Sequence, residues 1–131
     1  MITAIAVGAI GGGGTIAALF RAGMLRERFG LVVLLAAIAF FYPVFAAQNG
    51  DVTGAILHFA IFIGFSALAV AGFRRGAMII AGGLIAHGVF DAGLYWIGAP
   101  GPTWWPAFCA GIDITAGIVL IRLLQTGLIP R

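Results

Sequence analysis

Long apolar stretches, interrupted by brief clusters of arginine, glycine and proline, organise this chain. They run unbroken instead of alternating with period two, so they read as helices and not as strands of a barrel. A membrane crossing takes about 20 apolar residues, within a range of about 17 to 25. Five segments meet that length: residues 2–20, 31–47, 53–73, 77–97 and 105–124. The chain is therefore expected to be all-α, a single transmembrane domain over residues 1–131 built as a bundle of five transmembrane helices. The connections are short, which predicts that consecutive helices pack as antiparallel neighbours.

The basic residues set the expected orientation. Arg21, Arg26 and Arg28 lie in the first connection, Arg74 and Arg75 in the third, and Arg122 and Arg131 at the C-terminal end, while the second and fourth connections carry none. Cytoplasmic loops collect such residues, so the N-terminus is expected outside and the C-terminus in the cytoplasm, in a multi-pass protein of the cell membrane, the bacterial inner membrane. Arginines follow the first apolar run instead of preceding it, the reverse of a secretory signal, so that run is expected to remain as a helix. Tyr95, Trp96, Trp104 and Trp105 flank the fourth connection, and amphipathic rings favour the headgroup level. Gly98, Pro100, Gly101, Pro102 and Pro106 make that connection a stiff turn, expected at the outer surface. Asp51, beside Asn49 and Gly50, reads as turn chemistry.

Composition narrows the function classes. The chain is 63% hydrophobic and 8% charged, against roughly a quarter charged in a soluble domain, which excludes a water-soluble monomer. Its net charge of +3 is dispersed between apolar runs and forms no patch that could follow a phosphate backbone, so nucleic acid is excluded as a partner. The single cysteine, Cys109, excludes an internal disulfide and a multi-cysteine metal cage.

The first span carries Gly8 and then Gly11, Gly12, Gly13 and Gly14. Gly8 and Gly12 have the small-xxx-small spacing of close helix packing, the plainer expectation. The alternative is local unwinding that offers free carbonyls to an ion or substrate. No lysine follows the run, so it is not a phosphate-binding loop.

Four ionisable residues fall inside the spans: His58, His87, Asp91 and Asp113. Each carries an insertion cost of roughly 2.5 to 3.5 kcal/mol if central, and so asks for a purpose. Counted at about 1.5 Å per residue from the outer ends, they lie between about 6 and 15 Å deep, with Cys109 at about 5 Å. All belong to the outer half. His87 and Asp91 share one helix face, as do Cys109 and Asp113, each pair being separated by a single turn. Arg122 lies at the other side of the membrane and is expected to snorkel to the headgroups. A histidine beside aspartates in low dielectric is a proton store, suited to acid–base work, to proton-coupled transport or to a His/carboxylate metal site. In the plainer readings, His58 is a hydrogen-bonded packing residue and Cys109 a small buried hydrophobe.

At His87-Gly-Val-Phe-Asp91, followed by Phe108-Cys109-Ala-Gly-Ile-Asp113, the last third of the chain resembles a family of small bacterial multi-span membrane proteins that is known only as a domain of unknown function. That family carries further histidines soon after the His-x-x-x-Asp pair. Leu94 and Tyr95 stand there in this chain, so the resemblance weakens the metal reading and brings no activity with it.

The leading expectation is an intramembrane site in the outer half that binds a small apolar or amphipathic, lipid-like molecule. His87, Asp91 and Asp113 would do acid–base chemistry on it; His58, Tyr95, Trp96, Trp104, Trp105 and Cys109 would line the site. No metal and no cofactor is assigned. A proton-coupled transporter is the first alternative, weakened by the apolar inner halves of the fourth and fifth spans; a non-catalytic assembly subunit is the second. The expected partners are the bilayer and further copies of the chain or a larger membrane complex.

Overall fold

The computed structural model describes residues 1–130. It holds six helices: α1 (Ile2–Arg21), α2 (Phe29–Ala39), α3 (Phe41–Gln48), α4 (Val52–Arg75), α5 (Ala77–Ile97) and α6 (Trp105–Gln125). Helices α2 and α3 are two pieces of one span, Phe29–Gln48, so the described residues form five helical segments long and apolar enough to cross a membrane, as expected.

The break between α2 and α3 has a covalent cause. Pro43 has no N–H to offer the carbonyl four residues back, and its ring presses on that carbonyl, which belongs to Ala39. The helix bends at Phe40, whose own N–H is shared between the carbonyls of Ala36 at 3.1 Å and Ala37 at 3.2 Å. At the next turn, the Asp51 carboxylate accepts from the Gly54 N–H at 2.8 Å and caps α4, so its turn chemistry is that of a helix start.

Helices α5 and α6 form the centre: half of each span is buried, against 17% for α1 and for α4. Along α5 the inward residues Ile80, Leu84, His87, Asp91 and Leu94 recur at helical spacing, while Gly82, Ala86, Val89 and Gly93 face outward. The half of the bundle nearest the arginines is a dry aliphatic core in which Leu31, Leu35, Ile80, Leu84, Leu120 and Leu124 are all fully buried. Arg28 Nη1 donates to the Phe73 carbonyl at 3.2 Å, tying the first connection to the end of α4 at that same end of the bundle.

One packing expectation is overturned. Helix α1 lies along α6 and not along α2, and the two run parallel. Small residues on both sides explain the choice. A side chain at Gly8 would strike the Phe108 carbonyl, one at Gly12 the Ile112 carbonyl, and one at Gly111 the Ile5 carbonyl, so the two backbones touch. The segment between α1 and α2 is long enough to let α1 swing away from α2. Helix α1 continues without interruption through Gly11 to Gly14, and none of these glycines has a positive φ, so the run serves packing and does not unwind.

Candidate functional site

In the half of the bundle away from the arginines, the core is polar. His87 is 1% exposed, and Asp91 and Asp113 are wholly buried. Helix α5 supplies His87 and Asp91 one turn apart. Helix α6 brings Asp113 to them because Gly88, next to His87, has no side chain: a Cβ there would lie 3.1 Å from the Ile114 backbone nitrogen and 3.2 Å from Asp113 Cβ. Gly117 does the same lower on the seam, where a Cβ would come within 2.9 Å of the Ala81 carbonyl.

His87 Nδ1 and Asp113 Oδ2 are hydrogen-bonded at 2.7 Å across the two helices. The same nitrogen lies 3.2 Å from Asp91 Oδ2, one turn along its own helix. A ring nitrogen carries one proton or one lone pair, so Nδ1 serves one carboxylate at a time. Asp91 is held from its other side by the Tyr42 hydroxyl, which donates to Oδ1 at 2.7 Å. Two buried carboxylate oxygens, Asp91 Oδ2 and Asp113 Oδ1, have no hydrogen-bond partner.

Rings wall the cluster. Phe65 stands edge-on to His87 at 4.7 Å between ring centres, and Phe90 lies 5.8 Å away. Tyr42 lies 6.5 Å from His87 and 5.3 Å from His58, linking the two histidines. Such a wall keeps water out and strengthens each electrostatic contact inside it. No arginine among the described residues lies in this half, since every one of them falls at the opposite helix ends or in the connections there. With both carboxylates ionised the cluster would be negative even around an imidazolium. It therefore needs a further positive charge, a proton or a metal ion, to be neutral in hydrocarbon.

Of the residues expected at the site, the structure brings His87, Asp91 and Asp113 into direct contact and sets His58 one ring behind them. His58 is 8% exposed, and its Nδ1 has no partner. Cys109 is buried one turn from Asp113 on the same face of α6. The four aromatics of the fourth connection stand apart. Trp96 is 77% and Trp104 52% exposed, Tyr95 packs edge-on against Trp96, and Trp105 stacks among Phe41, Phe45 and Phe108. Among the described residues, no hydrogen bond or ring contact joins any of the four to the cluster.

Tyr42 is the member that sequence reasoning missed. Its signal was depth: five residues from the end of its span that lies away from the arginines, it is about 8 Å in, level with the other polar groups. Tyr42→Phe is expected to strand Asp91 Oδ1 and lower stability by about 1–2 kcal/mol, read as a drop in the melting midpoint in detergent. An unchanged midpoint would mean that the hydroxyl carries no weight there.

An apolar cleft of about 510 Å³ opens on the seam of α3 and α4, lined by Phe40, Pro43, Val44, Ile56 and Phe59 among others. Pro43 adjoins Tyr42 in the chain, and Phe59 adjoins His58. Compared with known proteins, the chain matches no family model, and no curated protein and no solved structure is similar to it.

Proposed function

We propose that this chain is a bacterial inner-membrane protein with an acid–base centre in the outer half of its bundle, working on a small apolar or amphipathic molecule drawn from the membrane. The observation that supports the reading best is a fully buried histidine between two aspartates, two of whose oxygens lack partners. A structural staple would be expected to satisfy all its polar atoms, since unpaired ones in a dry core are costly. A centre that must take up and release a proton keeps acceptors in reserve.

In this reading His87 moves the proton, Asp113 orients the ring through Nδ1, and Asp91 with Tyr42 forms the second acceptor arm. The cleft between α3 and α4 holds the apolar part of the ligand, on the same two helices that carry Tyr42 and His58. The arginine end faces the cytoplasm and the N-terminus lies outside. Proton-coupled transport is the weaker reading, because the leucine core of the arginine half leaves no polar path below His87.

The test is purification in mild detergent followed by mass spectrometry of what is extracted, for the wild type, Asp113→Asn and Val44→Trp, the last filling the cleft. One amphipathic species should be enriched with the wild type and lost from Val44→Trp. In Asp113→Asn it should remain bound but chemically unaltered. Identical extracts from all three proteins would overturn the proposal.

A further inference from the structure

We propose that His87, Asp91 and Asp113 bind one divalent first-row transition-metal ion. The proposal rests on the cluster being the protein's working centre and names the ion that supplies the missing positive charge; while bound, the ion takes the place of the proton between His87 Nδ1 and Asp113. Each of the three residues presents one ligand atom, and these atoms lie within 4.8 Å of one another. Ligands about 2.0–2.2 Å from a common ion, at angles between right and tetrahedral, stand roughly 2.9–3.5 Å apart. His87 Nδ1 is 3.2 Å from Asp91 Oδ2 and 2.7 Å from Asp113 Oδ2, so an ion would fit among the three once Asp113 draws back a few tenths of an ångström and the two carboxylates, within 4.8 Å of each other, turn toward it.

The second observation concerns what the cluster leaves unpaired. Asp91 is wholly buried and aims Oδ2 at the same nitrogen as Asp113, yet that oxygen has no hydrogen-bond partner. Its other oxygen is held by the Tyr42 hydroxyl. A ligating carboxylate is commonly oriented in this way, one oxygen on an outer donor and one toward the metal. Charge agrees: two carboxylates and a neutral imidazole around a divalent ion give a neutral centre, which a hydrocarbon surround favours.

One imidazole nitrogen with two carboxylate oxygens suits zinc, manganese or ferrous iron better than the all-oxygen preference of magnesium and calcium. Three protein ligands leave at least one position open, where a bound ion acts as a Lewis acid on a ligand oxygen or on water. The assignment differs from the sequence expectation, which gave this chain no metal ligands. The third ligand comes from a neighbouring helix and not from the residues that follow Asp91.

Cobalt(II) is the probe, because its visible absorption reports coordination directly. The purified wild type in mild detergent, treated with chelator and dialysed, is titrated with cobalt(II) and then with zinc(II). One equivalent of cobalt should bind with visible bands that zinc abolishes. Asp113→Asn, close in size and still able to hydrogen-bond, should lose the bands while eluting as a monodisperse, fully helical species. Tyr42→Phe should bind about 10- to 100-fold more weakly, as loss of an outer-shell partner does. Asp51→Asn, at the surface cap of α4, should bind as the wild type does.

Absence of cobalt bands in the folded wild type would overturn the proposal, and so would equal bands in Asp113→Asn. A wild type that retains its amphipathic molecule but takes no cobalt would sink the metal and leave the acid–base reading standing. Saturable cobalt binding with no retained molecule would do the reverse.

Discussion

His87→Leu alone is expected to be the most damaging single substitution in the bundle, lowering stability by about 3–5 kcal/mol, the range for a buried charge that loses its partner. It removes the one base that two wholly buried aspartates share. The triple change His87→Leu, Asp91→Leu and Asp113→Leu should recover most of that loss, since an apolar set of similar volume often matches a buried ionic one in stability. Tyr42 would need to become Phe in the same chain, because its hydroxyl otherwise loses Asp91. Melting midpoints in one detergent would compare the wild type, the single variant and the quadruple variant. If the quadruple variant melts with the wild type but no longer binds cobalt or its amphipathic molecule, the cluster is kept for chemistry. If it melts no higher than His87→Leu, the cluster is the staple of the bundle, and the functional reading fails.

Gly88→Leu is the second large expected effect. A Cβ at this position already meets the backbone of Ile114 and the Cβ of Asp113, and backbone cannot swing aside as a side chain can. The added bulk is expected to cost about 1–3 kcal/mol and to wedge α6 from α5. Because Asp113 rides on α6, the wedge should also part it from His87 and abolish cobalt binding, although no ligand has been altered. Gly93→Leu is the matched control on α5, since Gly93 faces open space. Equal behaviour of the two variants would show that the seam does not hold the site.

Much of this arrangement was legible along the chain. The spans followed from the length of the apolar runs, because each backbone polar group in hydrocarbon must be satisfied within its own segment. The grouping of His87, Asp91 and Asp113 followed from depth and helical spacing. The shorter contact was not legible. Turn spacing pairs His87 with Asp91, yet the 2.7 Å contact is with Asp113 on α6. That preference depends on Gly88 and Gly117 letting two backbones approach, which is a property of a pair of helices and not of either alone.

Tyr42 escaped notice because a tyrosine in a span carries no formal charge and so poses no insertion puzzle. The nearby Pro43 held a second overlooked signal, a missing backbone donor that bends its span at Phe40. The pairing of α1 with α6 was equally hidden. Small residues occur on several helices, and nothing within a single helix says which small face meets which. The aromatic residues of the fourth connection make no ring contact with the enclosed cluster, which is walled by Phe65, Phe90 and Tyr42 instead.

The parallel seating of α1 on α6 also constrains the order in which the protein can be assembled. Gly8 and Gly12 pack against Phe108 and Ile112, so α1 docks on a helix that is synthesised after α2 to α5. Until then its glycine face has only lipid, or a chance neighbour, against it. Helix α6 must arrive both to clamp α1 and to deliver Asp113 to His87, so closure of the bundle and completion of its polar centre are one late event in biogenesis.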